Sequence, residues 1–351
     1  MWVIDNHTPF TAERCWVRDK NGAEVWVVAV RGTFLIAPDG AISLAENQEE
    51  ICLVPKYRGE PGKSSLLYES DLVHTKPTTD VILHGHAYTP GGKQAIYVDA
   101  TLKIGEVVKT LRIFGDRFWE QGLIELTITD PQPFEKMPLI YERAFGGEDK
   151  KLRAHKNISW EPRNPIGTGF AVESNNIAGQ RLPNIENPKL LIKSWNDRPL
   201  PAGFGPIAGN WSPRAEFAGT YDEKWKKERY PLFPNDFNER FYLCSPEDQL
   251  PSSHLRGGET VELYNLTPEG RLRFELPRVA LAFSTYFFSG EVVDHRPVVH
   301  SVILEPDVPR VVIVWQTTLA CHPNGLKLKK TEIRQIFRVD KSGRELLNQY
   351  G

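Results

Sequence analysis

Runs of β-branched and aromatic residues, separated by very short Gly- and Pro-bearing breaks, constrain this chain more than any other feature. Residues 24–30 (EVWVVAV) and 33–37 (TFLIA) are divided by Arg31-Gly32 and closed by Pro38-Asp39-Gly40. Residues 80–88 (DVILHGHAY) end on Pro90-Gly91-Gly92, and 95–104 (AIYVDATLKI) turn through Gly105-Glu106 into 107–114 (VVKTLRIF). Residues 123–129 (LIELTIT) read as another strand. Parallel neighbours need a crossover of about a dozen residues or more, so such short breaks predict an antiparallel meander. The pattern returns in a hairpin from 259–266 and 272–276, then at 279–288, 298–305, 310–318 and 326–337.

Between these two β-rich regions, residues 145–255 are crowded with Gly, Pro, Asn and Trp and show little apolar periodicity. One helix is expected from Ser212-Pro213, an N-cap followed by proline at the first helical position. Phe217, Tyr221 and Trp225 then recur at every fourth residue, a stripe assigned here to core packing, and Pro231 ends the helix. The fold class expected is mainly β, with antiparallel sheets packed as a sandwich-like core, an irregular Gly/Pro/Trp-rich centre and one or two short helices. Residues 1–351 are read as a single domain comprising an N-terminal β region (1–144), the irregular centre (145–255), a C-terminal β region (256–339) and a tail (340–351), frayed or briefly helical. The two β regions are expected to share one sheet system.

A net charge of −2 supplies no basic field for a phosphate backbone, so nucleic acid is not an expected partner. The cluster Lys224, Lys226, Lys227 is read as a solvated helix face. Cys15, Cys52, Cys244 and Cys321 form no C-x-x-C pair and are read as reduced thiols. The N-terminal residues carry no signal-peptide pattern and no apolar run reaches the ~20 residues needed to span a bilayer, so a cytoplasmic protein with no membrane partner is expected.

No G-x-S-x-G, P-loop or H-E-x-x-H pattern is present, so no catalytic residues and no cofactor are assigned, and the chain is not expected to be an enzyme. His84-Gly85-His86 would place two imidazoles on one strand face, with His74, Asp99 or His254 as arbitrary third ligands. The plainer reading is a polar strand face whose Gly85 allows close approach, and no metal site is assigned. Nine tryptophans could build a sugar-stacking platform, which leaves a carbohydrate-binding or glycoside-cleaving protein as the alternative class.

Several long segments carry more information. They are KPTTDVILHGHA at 76–87, KTLRIFGDRFW at 109–119, PLIYERAFGG at 138–147, NPIGTGF at 164–170 and LPNIE at 182–186. PAGFG at 201–205, the stretch from Trp211 to Trp225, and PLFPNDF at 231–237 follow. In this order they resemble a bacterial family catalogued as domain of unknown function 2169, found with type VI secretion systems, from about Pro9 to beyond Thr318. The resemblance implies an adaptor or chaperone that binds a secretion effector through its PAAR-like N-terminal region, helps load it onto the spike, and touches the spike protein itself. No catalytic residue carries over.

Within those segments, Tyr141, Arg143 and Phe145 are expected to alternate along a strand end and share a face, with Tyr and Arg as favoured interface anchors. Asn164, Phe170, Asn184, Phe204 and Trp211 complete the candidate partner-binding set. Asn164-Pro165-Ile166-Gly167 and Leu182-Pro183-Asn184 read as rigid turns, Gly115-Asp116-Arg117 as a hairpin turn and Trp119 as core. A purely structural baseplate component is a further alternative, and oligomeric state is left open.

Overall fold

A computed structural model describes residues 2–123, 125–149, 159–173, 177–321, 325–336, 338–339 and 345–346. The chain is mainly β, and three large sheets build its core. The longest strand, Glu24–Ile36, lies inside a sheet with spatial order Thr11–Arg18, Glu24–Ile36, Arg310–Ala320, Val298–Glu305, Asp80–Leu83, with Ile42–Leu44 also paired to the long strand. A second sheet runs Ile185–Glu186, Val107–Phe114, Tyr97–Ile104, Thr260–Tyr264, Arg271–Glu275. The third runs Val3–Asn6, Leu328–Gln335, Leu281–Phe287, Val292–His295. In each, strands from before residue 115 pair with strands from after residue 259, so the N- and C-terminal β regions share their sheets.

The second sheet follows the period-two rule directly. Val98, Ala100, Leu102 and Ile104 face inward, answered by Val107, Leu111 and Ile113 on the strand to one side and by Val261, Leu263, Leu272 and Phe274 on the two strands to the other. These meet Trp26, Val28, Val30, Phe34, Val302, Ile313 and Phe283 of the other sheets in one cluster, which makes the packing sandwich-like. The long strand behaves differently, being buried on both faces over most of its length. Its second face and those of its neighbours are roofed by loops, through Ala29, Ile51 and Val314 in one small cluster and Ile82, Cys244, Ile303 and Val312 in another.

Within the three large sheets, two pairings depart from the antiparallel expectation. Asp80–Leu83 runs parallel to Ser301–Leu304, and Val3–Asn6 runs parallel to Lys330–Ile333. Both join segments hundreds of residues apart, where crossover length sets no limit.

Gly32 is a second departure. The expected break at Arg31-Gly32 does not occur, and one strand runs straight through it. A Cβ on Gly32 would stand 2.9 Å from both the Phe10 and the Trp315 rings. The glycine therefore admits two aromatic rings to the backbone rather than turning it. Gly32→Ala is expected to destabilise by about 1–3 kcal/mol through overpacking, read as a lower urea midpoint at unchanged m-value.

The central helix is also shorter than the spacing predicts. Arg214–Ala218 forms a 3₁₀ turn, and the α-helix is confined to Glu223–Glu228. Between them Gly219 adopts φ +84°, a left-handed conformation that interrupts the ladder. Asp222 restarts the helix as N-cap, accepting a hydrogen bond from the Trp225 N–H at 2.7 Å. Gly115-Asp116-Arg117 forms no hairpin, but carries the chain from Val107–Phe114 to Trp119–Gln121. Trp119 is buried as expected. In the tail, Glu345–Leu346 pairs antiparallel with Arg338–Val339; residues 340–344 and 347–351 lie outside the described residues.

Candidate functional site

The ordered segments singled out in the sequence converge in space. Asn164 is fully buried, and its Nδ2 donates to the carbonyls of Tyr141 (2.8 Å) and Phe145 (3.0 Å). Phe145–Gly146 pairs in parallel with Thr168–Gly169, and the Thr168 hydroxyl donates to the Glu142 carbonyl at 2.8 Å. Asn184 closes the other side. Its Nδ2 donates to the Phe114 carbonyl and to Asp116, both at 3.0 Å, while its Oδ1 accepts from Arg143 at 3.0 Å and Arg181 at 3.2 Å. Asp116 also pairs with Arg181, and Arg117 with the buried Glu186. Burial alone would raise the Asp116 carboxyl, but the Asn184 donor and the flanking Arg181 and Arg143 guanidinium groups hold it below the usual carboxylate range. This polar knot ties four loop segments to the edge of the second sheet.

The knot redefines most of the candidate residues. Tyr141, Phe145, Asn164, Asn184, Phe204 and Trp211 are all buried. Tyr141 does not lie on a strand, because Tyr141–Arg143 is a single 3₁₀ turn. It therefore shares no strand face with Arg143 and Phe145. Its ring packs edge-on against Trp211 at 5.5 Å and against Gly203, whose added Cβ would approach it to 2.8 Å. The Phe204 carbonyl accepts from the Leu83 N–H and from Gln249. These six side chains are spent on internal contacts, and reaching a partner would require the fold to open. Arg143 and Phe170 are half-buried and reach the surface, Phe170 lying 5.2 Å beneath the Arg198 guanidinium.

What the centre does expose is an aromatic ledge. Tyr221 and Tyr230 are 52% and 69% exposed and flank Trp225, with ring separations of 4.7 Å and 5.7 Å. Trp225 is fixed by donating its indole N–H to the Leu232 carbonyl at 2.8 Å. Arg229 donates to the Lys20 carbonyl at 2.7 Å, and Leu232 packs against Gly22, fastening the ledge to the turn before the long strand. The stripe assigned to core is thus partly surface. Gly219 turns Phe217 away from the following helix, so the periodicity that suggested one buried face spans two separate elements. Glycine at 219 is the available signal that the helix is interrupted before it can bury three rings.

Residues 21–316 match the model of a family described as "Uncharacterized protein conserved in bacteria (DUF2169)". The chain belongs to this family. Comparisons with curated proteins and with solved structures found no match.

In this DUF2169 protein the knot and the ledge both lie inside the matched span. The two histidines of His84-Gly85-His86 go to different partners. His84 Nδ1 lies 3.0 Å from Arg58, and His86 Nδ1 2.6 Å from Asp307. The strand breaks between them, since Asp80–Leu83 and His86–Tyr88 are separate elements. No group of three or more metal-ligating side chains occurs among the described residues. Burial pushes the thiols of Cys15, Cys52 and Cys321 up to about 11, away from thiolate reactivity. No helix among the described residues is long and apolar enough to cross a membrane.

Proposed function

We propose that this DUF2169 protein is an adaptor that binds a type VI secretion effector, through the effector's PAAR-like N-terminal region, and helps load it onto the secretion spike. The ledge of Tyr221, Trp225 and Tyr230 is the observation that carries this reading toward a protein partner. Exposed Tyr221 and Tyr230 braced on a half-buried Trp225 give contact area at low entropic cost, and Tyr and Trp are both enriched among binding hot spots. Exposed Trp160, Leu190 and Leu200 add apolar surface elsewhere in the same central region. A stable complex buries roughly 1,600 Å² in total, far more than three side chains, so the ledge acts as an anchor within a larger footprint.

The test is co-expression with the PAAR-like effector encoded nearest to it, followed by size-exclusion chromatography. A stoichiometric complex, with the effector less soluble alone, is the expected result. Separate elution, with the effector equally soluble alone, rejects the proposal. Tyr221→Ser with Tyr230→Ser is expected to weaken the complex by about 2–4 kcal/mol while changing the urea midpoint little, because both rings are largely exposed in the free protein.

A further inference from the structure

A cleft of about 980 Å³ opens between the third sheet and the Val298 end of the first, and continues inward as a recess of about 210 Å³. His254, His295, Arg296 and Val298 line both parts. In the recess most polar groups are satisfied by the fold. Lys76 Nζ is held by Asp80 (2.7 Å) and the Ser301 hydroxyl (2.9 Å). His295 has Thr285 at one ring nitrogen and Thr317 at the other, at 2.8 and 2.7 Å. His300 differs. It lines the recess and is only 1% exposed, yet neither ring nitrogen has a hydrogen-bond partner among the described residues. Gln316, on the adjoining strand, donates its Nε2 to the carbonyls of Val73 and His74 and leaves Oε1 equally unpartnered.

The backbone singles out the same residue. Val299 pairs with Trp315 and Ser301 with Val314, so His300 is the extra residue of a β-bulge. Bulges commonly re-aim a side chain beside a functional site. Orphaned buried polar groups are costly and rare, and here two stand together on neighbouring strands around a volume large enough for a small polar group.

We propose that this recess binds a primary carboxamide, carried by an asparagine or glutamine side chain of a bound peptide or by a small free amide. A primary carboxamide answers both orphaned groups at once. Gln316 Oε1 can only accept, so the ligand must bring an N–H or O–H. An imidazole N–H of His300 needs an acceptor beside it. An amide offers both on adjacent atoms. A carboxylate has no donor for Gln316, and an ammonium has no acceptor for His300 and would sit beside the Lys76 charge. Burial, with Lys76 and His254 nearby, holds His300 well below its ordinary pKa, in the uncharged form this pairing requires.

The site stands apart from the ledge and does not depend on the adaptor reading. The experiment is nitrogen-15 NMR of the histidine rings in the full chain, titrated with N-acetyl-glutamine methylamide, N-acetyl-glutamate methylamide and propionamide. The glutamine probe is expected to shift the His300 ring signals and the glutamate probe to leave them unmoved. Propionamide binding alike assigns the site to a small amide, and its failure beside a bound glutamine probe assigns it to a peptide. By calorimetry His300→Leu should weaken glutamine-probe binding about tenfold or more. It should not lower the unliganded melting temperature, because the native ring makes no hydrogen bond to lose. Unmoved His300 signals with every probe, equal binding of the glutamate probe, or a clear loss of melting temperature in His300→Leu with probe binding intact would overturn the proposal.

Discussion

Asp80→Ala should lower the stability of the folded chain by about 3–5 kcal/mol, or prevent its accumulation, because it strands a buried cation. Asp80 is fully buried, and its carboxylate accepts from Lys76 Nζ at 2.7 Å, from the Ser245 N–H at 2.7 Å and from the Cys244 N–H at 3.0 Å. It thereby joins the edge strand of the first sheet to the loop roofing its outer face. Burial opposes its ionisation, yet the Lys76 charge and the two backbone donors hold the carboxyl below its usual range. The partner substitution is expected to be milder. Lys76→Met removes one charge but leaves the carboxylate its backbone N–H donors, and should cost about half as much. Urea titrations followed by tryptophan fluorescence provide the comparison. Equal losses for the two variants, or less than about 1 kcal/mol for Asp80→Ala, would show that the ion pair does not hold this loop.

The second large effect is a steep loss of stability on mild acidification. Burial lowers the His84 imidazole to about 3 and His295 to about 4, and it drives His300 well below the ordinary 6.5. For a depressed folded-state pKa the stabilisation is complete above the unfolded value and is lost as pH falls toward the folded one. The unfolded chain binds protons below pH 6.5 that these three folded sites refuse. Each contributes a slope approaching about 1.4 kcal/mol per pH unit, so near pH 5 the three together should give up to about 4 kcal/mol per unit. Urea midpoints at intervals from pH 7.5 to 4.5 test the sign and the window. A flat profile across pH 6.5–5 would mean that these imidazoles are not held neutral in solution. His300→Leu should reduce the slope by about one proton, which separates its share from the others.

The strand register of the second sheet is legible in the residues themselves. Alternation from Val98 to Ile104 and from Val107 to Ile113 states which side faces inward, and Gly105-Glu106 states where the hairpin turns. The hairpin at Thr260–Tyr264 and Arg271–Glu275 follows for the same reason. The distinctiveness of a motif is a weaker guide to its role. Asn164, Asn184, Tyr141 and Phe204 stand out in the sequence as special residues, but specialness is shared by groups that bind partners and groups that bind loops. Burial decides between them, and burial depends on segments up to hundreds of residues away. The aromatic ledge was misassigned for the converse reason, since a four-residue period implies one face only if the helix continues, and Gly219 ends that condition.

Sequence alone therefore determined the β class, the turns and the inward faces of isolated hairpins, because these arise from interactions among near neighbours in the chain. Tertiary structure alone decided that Gly32 admits rings instead of turning the strand, that the Cys244-Ser245 loop seals Asp80 in the interior, and that a bulge delivers His300 to a recess. Each of those outcomes is set by what a distant strand or loop places against the residue, and no local pattern records it.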